Sequence, residues 1–329
     1  MTTARSSTFI SKGPYAELIL AGVVIAVLAF GLELGWRARG HGPMPNDNVQ
    51  HWSVAKAQVG NSPDVLVLAG SSRFHGGLRV GEFAALNPAR TVVQLSVSGG
   101  SPLSVLAHLS ADANFRGVVL CEVIPHHYFT DIGPREPWPG LAHRPYSSRW
   151  EDWLHVQASR QFTLMNPAVK LDRVFSSLLT SGTLPGPMQM EMNERRELSV
   201  DYGRTNLEEA LANGAVAYQR FGKILEGSAL KERILWINAQ VERIKQRGGR
   251  VIFFRMISSG RILAVEEDRF PDPIYWAALT AGVGAPAIHF REIPALGGFN
   301  CPEGAHLDRQ DAAPFSRALA VDLRQRGLL

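Results

Sequence analysis

Ser72, Glu303 and His306 are the residues of this chain whose types and settings suit nucleophilic chemistry. The apolar run Val65–Ala69 leads directly into Gly70-Ser71-Ser72-Arg73. A small-residue turn at the carboxyl end of a parallel strand, followed by a helix, is where α/β folds carry their sites. A serine there is exposed beside helix N-terminal amides, which favour developing negative charge. Gly-Ser-Ser is also an ordinary turn or N-cap, so the serine needs partners. They stand near the other end, in Cys301-Pro302-Glu303-Gly304-Ala305-His306-Leu307. An acid three residues before a histidine, on a glycine-containing loop, lets both side chains face one point. The acid then holds the imidazole tautomer that accepts a serine proton. A loop histidine beside a surface acid is the plainer alternative. The helical stretch after it, Ala312–Arg326, and the turn on the first strand favour the chemical reading.

Other chemistries find little support. Without a G-x-S-x-G elbow the usual α/β-hydrolase reading is disfavoured. Neither H-E-x-x-H nor a His/Cys cluster is present, and no phosphate-binding glycine loop follows a strand. No metal and no cofactor are therefore expected. His126-His127 follow Pro125 near the carboxyl edge, where they can line a site, although adjacent histidines on a strand or loop point different ways. Ser258-Ser259-Gly260-Arg261 reads as a turn able to help bind a ligand.

The elements that must position these residues read as an α/β domain with a mainly parallel sheet. Candidate strands are Val65–Ala69, Thr91–Leu95, Val118–Val123, Arg250–Arg255 and Ala287–Phe290. Helices are expected over Val80–Leu86, Pro102–Ala111, Leu230–Gln246 and Ala312–Arg326. In the third of these Leu230, Ile234, Ile237, Val241 and Ile244 recur at helical spacing until Gly248-Gly249 ends the pattern. More than a hundred residues separate the third and fourth strands, too many for a bare crossover, so an inserted helical cap is expected at about 126–225. Its Trp138, Trp150 and Trp153 read first as packing beneath a loop and second as a binding wall.

Upstream, Leu18 to Leu32 contains no charge, and Tyr15–Trp36 is 22 residues long. About 20 apolar residues span a bilayer core. Tyr15 and Trp36 sit where interfacial aromatics belong, and Glu17 and Glu33 fall at the ends, within reach of headgroups. The expected order is a cytoplasmic tail (1–14), an anchor (15–36), a polar linker with a short helix (37–60) and a domain outside the cytoplasm (61–329). A signal peptide cleaved after Val27-Leu28-Ala29 is the competitor, disfavoured because the apolar run continues past that point. A net charge of +4 spread along 329 residues gives no basis for nucleic-acid binding, and 45% hydrophobic residues exclude wholesale disorder.

The order of these motifs resembles the SGNH (GDSL-like) hydrolase superfamily. Its first block is similar to Gly70-Ser71-Ser72, its last to Glu303-Gly304-Ala305-His306, and its second to Leu95-Ser96-Val97-Ser98-Gly99-Gly100. The resemblance covers roughly residues 64–125 and 250–325. It implies a flavodoxin-like three-layer sandwich with five strands. It makes Ser72 the nucleophile, His306 the base and Glu303 its orienting acid, with oxyanion donors at Ser72 and Gly99, Gly100 close behind. It also implies an esterase or O-acyltransferase acting on carbohydrate esters, expected to be acetyl esters. Membrane-anchored members of similar layout work beside a membrane-bound O-acyltransferase. Two departures stand out. The acid is Glu instead of Asp, and the Gly-x-Asn-Asp block is replaced by Leu120-Cys121-Glu122-Val123-Ile124-Pro125. Losing one oxyanion donor typically costs about 3 kcal/mol of transition-state stabilisation. A non-catalytic carbohydrate-binding or scaffolding subunit on the same fold is the alternative. A catalytic site would also bring Cys121 and Cys301 into one neighbourhood, where they either bridge or pack as two separate small apolar residues.

Overall fold

The computed structural model describes residues 14–141, 144, 148–204, 207–208, 211 and 221–329. Residues 1–13 of the expected tail, and parts of the cap within 142–147 and 205–220, lie outside the described residues. In chain order the strands are β1 (Val65–Ala69), β2 (Thr91–Gln94), β3 (Val118–Val123), the short β4 (Met190–Met192) and β5 (Leu198–Val200), β6 (Arg250–Arg255) and β7 (Ala287–His289). Five of them form one parallel sheet in the order β2-β1-β3-β6-β7. These are the five strands expected from the apolar runs, with β2 and β7 each one residue shorter.

The strands read as unbroken apolar runs because both faces are covered. Successive side chains alternate: Val65, Val67 and Ala69 join one core, and Leu66 and Leu68 the other. The first core is closed by α5 (Pro102–Ala111) and α9 (Gly227–Lys245); the second by α3 (Ser72–Gly77), α4 (Val80–Leu86) and α12 (Ala312–Gln325). Further α-helices among the described residues are α1 (Pro14–Ala38), α2 (Val49–Ala57), α6 (Pro125–Tyr128), α7 (Ser148–Gln161), α8 (Leu171–Ser181), α10 (Gly260–Arg269) and α11 (Tyr275–Gly282).

The chain divides into two units, residues up to Met44 with Gln161–Pro187, and Pro45–Arg160 with Met188–Leu329. In the first, Tyr15–Ala38 of α1 contains an 18-residue window with a mean hydropathy of 2.5 and is long and apolar enough to cross a membrane. Glu33, expected to reach headgroups, instead turns to protein. It is 8% exposed and accepts the amides of Thr163 (2.8 Å) and Leu164 (3.0 Å) and Nε of Arg37 (2.7 Å).

In the second unit the short helix expected in the polar stretch is present, and it packs on the domain by Trp52. Residues 49–57 form α2, capped by Asn48, and Trp52 is 1% exposed with its Nε1 donating to Leu95 O at 2.9 Å. The stretch reads as polar because only one face of a short helix is buried. The cap is not purely helical, since β4 and β5 pair as an antiparallel hairpin. Trp138 packs against the core as expected, whereas Trp150 and Trp153 are exposed, so packing beneath a loop does not hold for them.

Candidate active site

β1 ends at Ala69 and the chain turns at Gly70. A Cβ there would lie 2.4 Å from Cβ of Phe74 and 2.7 Å from Oε2 of Glu122, so only glycine fits. Ser71 then caps α3, its Oγ accepting the amide of Arg73 at 3.2 Å, and Ser72 becomes the first helical residue. Ser72 Oγ lies 2.8 Å from Nε2 of His306, a pairing across 234 positions of sequence. Nδ1–H of His306 donates to Oε1 of Glu303, which also accepts the His306 amide at 2.9 Å. Gly304, at φ +97°, supplies the left-handed turn that lets an acid and a histidine three residues apart meet in this way. Ser72, His306 and Glu303 thus come together as the spacing suggested.

The loop that carries them is braced by the turn after β6. Ser259 N–H donates to Gly304 O (2.9 Å), and Cys301 N–H to Ser259 Oγ (3.0 Å). Here Ser259, considered for ligand binding, holds the loop that carries Glu303 and His306.

Tyr202, just beyond the β4–β5 hairpin, escaped the sequence reading. Its hydroxyl donates to Oε2 of Glu303 and lies 3.3 Å from His306 O. Burial alone would raise the Glu303 carboxyl, but the hydrogen bonds from His306 and Tyr202 hold it below the usual carboxylate range. Glu303 therefore stays an anion facing the imidazole. A turn signal is all that the sequence offers around Tyr202.

The other candidate groups, at Ser72 itself and in the turn after β2, are backbone amides. Among the described residues the amides of Ser72 and Gly99 are not engaged by another protein group, and Gly99 sits exposed at φ +72° in the turn after β2. Gly100, the second donor expected there, is a correction. Its N–H donates to Val97 O at 2.9 Å and is spent closing the turn.

That turn is clamped by residues remote in sequence. Asp47 Oδ2 accepts the Ser98 amide at 2.9 Å, and Arg196 donates to both Asp47 Oδ1 (2.8 Å) and Ser96 O (2.7 Å). Nδ1 of His75 is hydrogen-bonded to Ser98 Oγ at 3.1 Å. Burial pushes His75 down to about 4, so it is neutral at pH 7.

Glu122 stands where an asparagine was sought. It is fully buried, its Oε2 accepts the Ser71 amide at 2.6 Å, and burial pushes its carboxyl up to about 7. Arg73 pairs with Glu266 at 2.6 Å, and Ser258 Oγ donates to the other Glu266 oxygen. The two adjacent histidines do not diverge. Pro125–Tyr128 is one helical turn, and the His126 and His127 rings lie 4.3 Å apart, both buried against Phe221.

Cys121 and Cys301 are free and buried in different cores, so they form no bridge. β3 turns the Cys121 side chain to the sheet face opposite the one on which Cys301 packs, and burial pushes each thiol up to about 12.

Comparison of the chain with protein-family models, with curated proteins and with solved structures returns no match.

Proposed function

We propose that the chain is an SGNH-type serine esterase or O-acyltransferase, held at the inner membrane by α1 with its α/β domain outside the cytoplasm. Its substrates would be acyl esters of carbohydrate, with acetyl the expected group. The observation that carries this reading is the hydrogen-bonded series Ser72–His306–Glu303.

In the reaction Ser72 Oγ attacks the ester carbonyl carbon while His306 Nε2 takes its proton. Glu303 holds the resulting imidazolium. The amides of Ser72 and Gly99 receive the oxyanion. When the tetrahedral intermediate collapses, His306 returns the proton to the leaving alcohol and leaves an acyl-serine. Water or a sugar hydroxyl, deprotonated by His306, then attacks the acyl-serine and restores Ser72. Transfer to carbohydrate is favoured over hydrolysis by the anchor and by the exposed Trp150 and Trp153, whose faces suit a sugar ring. A membrane-bound O-acyltransferase is the proposed source of acyl groups.

The buried Glu122 in place of an amide donor favours a second reading, a non-catalytic carbohydrate-binding subunit. A fluorophosphonate probe separates the two. The wild type is expected to label, Ser71→Ala to label equally and Ser72→Ala not at all. A folded wild type that never labels supports the binding subunit, and labelling that survives in Ser72→Ala removes Ser72 as nucleophile.

A further inference from the structure

Within the unit that contains α1, helix α8 buries none of its 11 residues. Its apolar residues Leu171, Val174, Phe175, Leu178 and Leu179 recur at i, i+3, i+4, i+7 and i+8, which places them on one stripe. Leu171 is 74%, Phe175 62% and Leu179 86% exposed. Asp172, Arg173, Ser176, Ser177 and Thr180 make the opposite face. A stripe of large apolar side chains of this kind marks an interaction surface.

What covers it follows from how the segment is fastened. The turn before α8 is bolted to the last part of the apolar run of α1. Glu33 takes the amides of Thr163 and Leu164, Arg37 donates to Gln161 O at 2.7 Å, and Asn166 donates to Gly42 O at 2.8 Å. α8 begins at Leu171, a few residues beyond these bonds. Phe162 and Leu164, beside the bonded amides, are exposed as well. The apolar stripe therefore starts at the level where the hydrocarbon-compatible part of α1 ends. An 11-residue helix is about 16 Å long, too short to cross a bilayer but suited to lie along one. Lys170 and Arg173 stand at its first turn, where cations meet anionic headgroups.

We infer that α8 is an interfacial helix, its Leu171–Phe175–Leu179 stripe sunk into the headgroup boundary of the bilayer that holds α1. This rests on the membrane part of the proposed function and is independent of the ester chemistry.

The full chain is reconstituted in vesicles of phosphatidylcholine and phosphatidylglycerol, with an environment-sensitive fluorophore on a cysteine introduced as Leu179→Cys, Ser176→Cys or Ile19→Cys. The wild-type chain, whose two thiols are buried, sets the labelling background. Quenching by spin-labelled lipid is expected to be strong at 19, several-fold stronger at 179 than at 176, and reduced at 179 when Leu171 and Phe175 are changed to Ser. Strong quenching at 19 with equal, weak quenching at 179 and 176 overturns the assignment of α8 and leaves the anchor standing. Quenching absent at 19 overturns the anchor and α8 with it.

Discussion

The two sides of Ser72 are built by different means. Towards His306, side chains do the work. A serine, a histidine, a glutamate and a tyrosine bond in series, and the loop that carries the histidine and glutamate is braced by Ser259. Towards Gly99, the work falls to backbone amides on an exposed turn that keeps its shape through Asp47, Arg196 and His75. The hydrogen bonds that a proton relay needs are thus already made in the resting protein, whereas the proposed reaction leaves charge stabilisation to the amides of Ser72 and Gly99. A site of this kind acylates readily with a strongly electrophilic probe but turns over ordinary esters slowly, since each missing donor costs about 3 kcal/mol.

His306→Ala strikes the complete side and should have the largest effect. Turnover of a small aryl ester is expected to fall by about 10⁴-fold with the melting transition little changed. Retention of a tenth of the activity would mean that the histidine is not the base. Glu122→Gln probes the residue beneath both sides. Burial raises its carboxyl to about 7 from 4.5, so the folded state holds a proton that the unfolded chain has already released. The stability this gives is present in full below about pH 4.5 and is lost as pH rises through 7, a change of ~3 kcal/mol. Urea unfolding across pH 4.5–8 should show that slope in the wild type and not in Glu122→Gln, and parallel curves would refute the assignment.

Asp47→Ala frees the Ser98 amide and one contact of Arg196. A fall of about 10²-fold in kcat is expected, with KM and fluorophosphonate labelling less affected. An unchanged kcat would show that the clamp does not set the oxyanion turn. Tyr202→Phe is the mildest change. About tenfold in kcat is expected, with the acid limb of the pH profile moving upward as Glu303 loses a donor. An unmoved limb would reduce Tyr202 to packing.

The same contrast governs what could be read in advance. The sheet strands were legible because burial on both faces writes them as continuous apolar runs, and the base side because Glu303 and His306 are three residues apart. The helix expected after the Gly-Ser-Ser turn carries no bounds of its own in sequence: Ser-Arg-Phe-His-Gly-Gly of α3 has no helical period and is fixed by what packs around it. The clamp was missed because Asp47 and Arg196 lie 149 positions apart and neither neighbourhood carries a motif. Gly100 was misassigned because a glycine pair does not reveal which amide its own turn consumes.

The burial of α2 decides where the chain tolerates being cut. Trimming at residue 60, where the polar stretch ends, would discard Trp52 and Asp47 together. Emptying the space of a buried tryptophan typically costs about 3–5 kcal/mol. Arg196 would at the same moment lose its carboxylate while remaining buried. A truncation beginning at Pro45 retains both residues. Those sixteen residues of apparent spacer separate a fragment that keeps the Ser98 turn clamped from one that holds its serine, histidine and glutamate in sequence but not that turn in shape.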